Sequence, residues 1–259
     1  MAKNEAQELA PVGDVTPLAN LSDTLQAKIK ATADRLKDSC SVSVNRIAHQ
    51  ATGWRMPDGD IQQTFTGVIV AVKHANIHYP GVYKKGSVNP VDCCAILDGD
   101  ADAACDNLIP IAAVENPYSS SCRTCPKFEW KSALVGNGKA CGEHTLLAVF
   151  VPALGDELYV IEMKKANSRV ADGYIASVNS KFGHPIAVTT NFTIGRKGDW
   201  EVELNAVSNV PTDMLTMLAA RMDEGTAMLV ERVKGSYKAP TEAANDNEPE
   251  AVGRASRSR

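Results

Sequence analysis

Apolar positions along this chain change period several times, and each change marks an element. Residues 1 to about 19 carry no pattern and read as unstructured. Leu25, Ile29 and Leu36 then share a helical face, with Ser22 placed to cap the helix and Asp38-Ser39 to end it. A polar stretch containing Trp54 and Arg55 runs to Gly59. From Ile61 the pattern is that of a strand. TFTGVIVAVKHANIHY is rich in β-branched residues, has Gly67 where a strand can bend, and ends at a Pro80-Gly81 turn. Residues 86–143 show little periodicity and read as a long insertion that needs a metal for order.

Beyond the insertion the signals sharpen. TLLAVFVP (145–152), a Gly155-Asp156 turn and ELYVIEM (157–163) predict a hairpin. Ser168 is placed to cap a helix with Val170, Tyr174, Val178 and Phe182 along one side, stopped by Gly183 and Pro185. IAVTTNFTIG (186–195) and DWEVELNAV (199–207) predict a second hairpin, with Trp200, Val202, Leu204 and Ala206 alternating against Glu201, Glu203 and Asn205. Pro211 opens a Met-rich helix with Met214, Leu215, Met217, Leu218 and Met222, a pattern that ordinarily means core. This order matches a five-stranded Greek-key barrel with a helix before its last strands. The expected class is therefore α+β, mainly β: an OB-like domain over 20–235, a zinc insertion at 86–144 and a disordered tail at 236–259.

Charge and cysteine use refine this picture. The net charge of −4 argues against a uniformly basic binder, but the charge is unevenly spread. Residues 86–120 hold six acids and no Lys or Arg, whereas 121–142 carry Arg123, Lys127, Lys131 and Lys139 against Glu129. No run of eighteen apolar residues is present and the N-terminus lacks signal-peptide character, so the reading places the chain in the cytoplasm, with no membrane partner. Seven cysteines, an odd number, then suit metal ligation better than a disulfide framework.

Cys122, Cys125, Cys141 and His144 form CxxC, fifteen residues, then CxxH, a spacing that suits one tetrahedral zinc. The fourth ligand is open: His144 completes the pattern locally, and Cys94 could return from the start of the insertion. With four protein ligands the zinc would be structural; an iron–sulfur cluster is the minor alternative. Deaminase chemistry is rejected because no His is followed by x-Glu and Pro126 follows the CxxC. GNGKAC has Ala140 where a phosphate loop needs Ser or Thr. Asp98, Asp100 and Asp102 resemble the start of a calcium loop, but Ala103 and Ile109 occupy its Gly and Glu positions. No nucleophile constellation is present, and nothing asks for an enzyme.

The segment between the ligand pairs, CPKFEWKSALVGNGKAC, mixes cations and rings, as single-strand binders do. The candidate nucleic-acid contacts are Lys73, Tyr79, Tyr83, Lys84, Lys85, Phe128, Trp130, Lys131, Lys139, Lys164, Lys165 and Arg169. FTGVIVAVKHANIHYPG, Cys94 ahead of Asp98-Gly99, SCRTCPKFEW, GNGKACGEH and EMKKANSRVADGYIASVNSKFG together resemble tailed-phage single-stranded-DNA-binding proteins with a CxxCP…GxGKxC core. The resemblance covers roughly residues 61–207. It implies zinc ligands Cys94, Cys122, Cys125 and Cys141 and binding of a single strand in phage replication or recombination; replication or recombination proteins and a second copy of the chain are the further partners expected. Two other classes compete: a zinc-knuckle interaction module docking on a host polymerase, and a magnesium nuclease using Asp98, Asp100 and Asp102.

Overall fold

One long strand organises the molecule. In the computed structural model, which describes residues 45–81, 90–164, 166–195 and 201–237, Thr64–His78 forms the fifteen-residue strand β4. Before it come β1 (Arg46–Gln50), β2 (Gly53–Arg55) and β3 (Ile61–Gln62). After it come β5 (Cys93–Ala95), β6 (Cys141–Phe150), β7 (Leu158–Lys164), helix α1 (Ala166–Phe182), β8 (Val188–Ile194), β9 (Val202–Asn209), α2 (Thr212–Ala219) and α3 (Met222–Lys234). The expected helix around Leu25, the contacts Tyr83, Lys84, Lys85 and Lys165, Trp200 and the tail beyond Tyr237 lie outside the described residues.

The nine strands form one mixed sheet in the order β3-β2-β1-β7-β6-β4-β8-β9, with β5 added to β4. Among these described strands only β1 and β7 pair in parallel. The sheet curls into a half-barrel, so the class is α+β and mainly β, but nine strands replace the expected five. Of the four extra ones, β1 and β2 come from the polar stretch that runs to Gly59, β3 is Ile61–Gln62 and β5 lies in the insertion. Trp54 in β2 is fully buried, edge-on to Phe65 at 5.4 Å and to Phe192 at 6.1 Å, while Phe65 and Phe192 stack at 4.7 Å. Burying such a ring contributes about 1.5–3 kcal/mol, which stabilises three short strands that propensity alone would not hold.

β4 uses both edges. Val68–His78 pairs with β6 on one side; on the other, Thr64–Val68 pairs with β8 and Asn76–His78 with β5. A bulge between Ile69 and Ala71 reverses which residues face which side. Ile69 and Val72 therefore pack toward α1, with Leu147, Ile161 and Met163, whereas Ala71, Ala75 and Ile77 pack toward α3, with Leu229 and Val233. Gly67 allows β4 to cross close to β6, since a Cβ there would stand 2.6 Å from Val149 Cγ1 and 2.9 Å from Phe150 O. The edge left open between β8 and β5 is covered by the acidic loop. His74 N donates to Asp102 Oδ1 at 3.1 Å, Asn76 Nδ2 to Cys105 O at 2.6 Å, and Lys73 Nζ to Ala101 O.

Both predicted hairpins form, as β6–β7 and β8–β9. The helix between them starts at Ala166 rather than being capped by Ser168, which is buried inside it with its Oγ 2.6 Å from Thr145 Oγ1. Its inner face is Asn167, Ser168, Ala171 and Val178; Val170 and Phe182, expected inside, are exposed. The Met-rich segment is two helices broken at Ala220-Arg221, where Arg221 Nε bonds Glu224 Oε2 at 2.7 Å. No helix among the described residues is long and apolar enough to cross a membrane.

Candidate metal centre and nucleic-acid interface

Cysteine placement follows from strand register. Cys93 of β5 and Cys141 of β6 both pair with His78 of β4, so the three form one row across the sheet and their side chains share a face. Cys94 pairs with Ile77 one position along and points the other way, into the apolar cluster of Ala75, Ile77, Leu146, Leu229 and Val233. The CxxC turn folds back over the Cys93 row. Cys125 N donates to Cys122 O at 3.2 Å, Phe128 N to Cys125 O at 3.0 Å, and Cys141 N to Lys127 O at 2.8 Å. Cys93, Cys122, Cys125 and Cys141 thus surround a cavity of about 10 Å³, closed by His78 and Phe128. Cys94 also borders it, but the charges acting on the thiols separate the two neighbours: Cys93 faces Cys125 and Cys122, whereas Cys94 faces Cys93 alone. By register and by these charges Cys93, rather than Cys94, groups with Cys122, Cys125 and Cys141.

His144 is excluded from this set by the same alternation. Three residues beyond Cys141 on β6, it projects from the opposite face, with Nδ1 2.7 Å from Glu162 Oε1. Burial, then repulsion among the cysteines, pushes the Cys93 thiol up to about 11 and Cys141 higher still; Cys122 is raised for the same reasons. Such thiols keep their protons near neutral pH unless a cation draws the charge out. Among the described residues no three His, Cys, Asp or Glu groups converge closely enough to hold a metal as they stand. The four thiols and a cavity about the size of one water fit an ion only if they move inward on it.

The loop rooted at these cysteines carries the exposed candidates. Trp130 is 64% exposed, and Leu134 and Val135 are 73% exposed each. Lys131 beside Trp130 is exposed with φ +71°, in the left-handed region. Arg123 and Lys127 stand near the root, the latter with Nζ 5.0 Å from the Tyr118 ring. Other candidates are withdrawn from the surface. Lys73 is buried beneath the acidic loop and held by Ala101 O. Phe128 is buried in the wall of the cysteine cavity, with Lys139 Nζ 3.6 Å from its centroid and tied to Glu143 at 2.6 Å. Arg169 is exposed on α1. Lys164 pairs with Glu162 at 3.3 Å, and Tyr79, 37% exposed, feels the charges of Glu162, Arg232 and Arg46. These last two belong to a cluster on the α3 side of the sheet, away from the cysteine loop.

The three acids proposed for magnesium do not converge. Asp98 pairs with Lys234 at 2.8 Å, while Asp102 lies 2.7 Å from His74 Nδ1. The other ring nitrogen of His74 is 3.1 Å from Asp172 Oδ1, which also accepts Thr145 Oγ1 at 2.7 Å. Hydrogen bonds to the two carboxylates, Asp102 foremost, push His74 up to about 10, which favours its protonated form near neutral pH. Cys93, His78 and the Glu162 cluster were missed in the sequence. The signal for Cys93 was available only as strand alternation within VDCC, on a strand of three residues.

No family model, curated protein or solved structure matches this chain.

Proposed function

We propose that this chain binds single-stranded nucleic acid without cleaving it, through a loop pinned by a structural zinc. Cys93, Cys122, Cys125 and Cys141 would hold the ion, whose role is to fold the loop rather than to activate water. The observation that carries the reading is Trp130: a large ring, 64% exposed, next to Lys131 and above the basic root of the loop. A solvent-facing indole with neighbouring cations suits base stacking and phosphate attraction at once. The motif resemblance supports phage replication or recombination as the setting. The OB-like part of the fold expectation belongs here too, since a curled sheet beside a strand-gripping loop is how OB surfaces handle single strands; the likeness is in the curl and not in strand number.

The test is anisotropy of a labelled oligothymidine against an equal-length duplex at two salt concentrations, with wild type and Trp130→Ala. Salt-sensitive preference for the single strand, weakened by Trp130→Ala, is the expected result. No binding by folded, zinc-loaded protein overturns it. A second reading, the protein-interaction module, is favoured by Leu134 and Val135, since an apolar tip of three exposed side chains suits a partner surface as well. In that case Trp130→Ala leaves nucleic acid untouched and Leu134→Asp abolishes a protein contact.

A further inference from the structure

Glu162 is buried on β7, its side chain 3% exposed, and four basic groups close on it. Arg46 Nη2 of β1 and Arg232 Nη2 of α3 reach Oε2 at 3.2 and 3.6 Å; His144 Nδ1 of β6 and Lys164 Nζ of β7 reach Oε1 at 2.7 and 3.3 Å. Among the described residues three permanent cations meet one carboxylate, leaving two positive charges in excess. The carboxylate is covered, but the cations are not: Arg46, Lys164 and Arg232 are 34%, 45% and 29% exposed. Among the described residues, Nε of Arg46 and Nε of Arg232 are both buried with no hydrogen-bond partner. A guanidinium carries five donors in a rigid fork, and each of these arginines gives Glu162 one nitrogen. Burial and the charge of Arg232 lower the Arg46 pKa against the pull of Glu162, so the two guanidiniums strain against each other. Tyr79, partly exposed beside them, adds a phenol to the rim.

We propose that Arg46, Arg232 and Lys164 form a binding site for the oxyanion of a phosphate group, with Glu162 fixing the cations from behind. Planar forks with donors to spare match phosphate oxygens, and Glu162 supplies the preorganisation that isolated surface arginines lack. The phosphate could come from a nucleic-acid backbone or from a free phosphate or phosphomonoester. The first source rests on the nucleic-acid reading above; the site itself does not.

The experiment is thermal unfolding of the full chain in inorganic phosphate against sodium chloride of equal ionic strength, for wild type, Arg232→Gln and Lys164→Gln. Phosphate should raise the wild-type Tm by a few degrees beyond chloride, rising with the logarithm of its concentration. Both variants should lose that increment while still melting cooperatively. Lys164, the most exposed of the three, keeps the test valid should Arg232→Gln fail to fold. General salting-out by phosphate would appear equally in all three proteins, so equal increments, or none in wild type, overturn the proposal. Oligothymidine anisotropy then identifies the source. Displacement by phosphate, with weaker binding and a salt slope reduced by about one in the variants, assigns a backbone phosphodiester. Unchanged oligothymidine binding alongside the lost Tm increment assigns free phosphate or a phosphomonoester. Trp130→Ala should leave the increment intact, which separates failure of this site from failure of the loop.

Discussion

Replacing His74 by Gln should make the protein less stable by an amount that shrinks as pH rises. His74 ties three pieces together: its strand β4, Asp102 of the acidic loop at 2.7 Å and Asp172 of α1 at 3.1 Å. The folded pKa is raised from 6.5 to about 10, so the bound proton stabilises the fold. At about 1.4 kcal/mol per pH unit this is nominally about 5 kcal/mol. Water reaches both carboxylates, which are 33% and 42% exposed, and screening leaves roughly 1–2 kcal/mol. The sign follows from the direction. Below pH 6.5 folded and unfolded chains are both protonated and the contribution is complete. Between 6.5 and about 10 the unfolded chain gives up its proton while the folded one keeps it, and the contribution drains away. Urea denaturation of wild type and His74→Gln at pH 6, 7.5 and 9 measures the gap. Comparing the two proteins cancels the titration of the cysteines and tyrosines. A gap that stays constant or widens from pH 6 to 9 would refute the picture of a protonated His74 clamped between carboxylates.

Cys93→Ser, like changes at Cys122, Cys125 or Cys141, should abolish stoichiometric zinc measured by elemental analysis, whereas Cys94→Ser should keep the metal and lose stability through its apolar surroundings; the reverse result would restore Cys94 as the ligand. Trp130→Ala should weaken oligothymidine binding by about 1–3 kcal/mol with little change in Tm, while Phe128→Ala should cost about 3–5 kcal/mol of stability because it opens the wall of the cysteine cavity. Glu162→Gln should cost about 3–5 kcal/mol in urea denaturation, since it leaves Arg46, Lys164 and Arg232 facing one another without a counter-charge. Burial works against the Glu162 carboxylate, but His144, Lys164 and Arg46 win and hold its pKa below 4.5, so its contribution is present above that pH and lost in acid. The acid limb of the stability curve should therefore be shallower in Glu162→Gln than in wild type.

How much of this could be read from residues depended on how local each feature is. The hairpins β6–β7 and β8–β9 were legible because β-branched runs flank short connections and need only each other. β4 was legible as a strand, but its faces were not: the bulge at Ile69/Ala71 inverts the alternation midway and leaves no mark in the sequence. β1 to β3 were invisible because strands of two to five residues carry no period. What stabilises them is Trp54 meeting Phe65 of β4 and Phe192 of the distant β8. The helix α1 misled for another reason. Its inner face opens with Asn167 and Ser168, whose hydrogen bonds to Val202 N and Thr145 are satisfied only in the folded state, so polar residues sit where apolar ones were sought.

The cysteine set and the Glu162 cluster show how strand alternation divides chemistry between two surfaces. Cys141 and His144 lie three residues apart on β6, close enough in sequence to read as a CxxH ligand pair. In a loop that spacing brings both to one ion. Within a strand an odd separation sends them to opposite faces, so the sheet itself stands between the thiol and the imidazole. Whether CxxH is a ligand pair is thus decided by where β6 begins, and it begins at Cys141 because Cys141 pairs with His78 at the end of β4. The same rule chooses Cys93 over Cys94. Two adjacent residues on one strand face opposite sides, and register with His78 puts Cys93 in the row of Cys141. Each surface then has its own chemistry: soft thiols on the α1 side, of the kind a metal would need, and guanidinium donors on the α3 side, of the kind an oxyanion would need. A charge change at Glu162 acts on the second and reaches the first only by unfolding the strands they share.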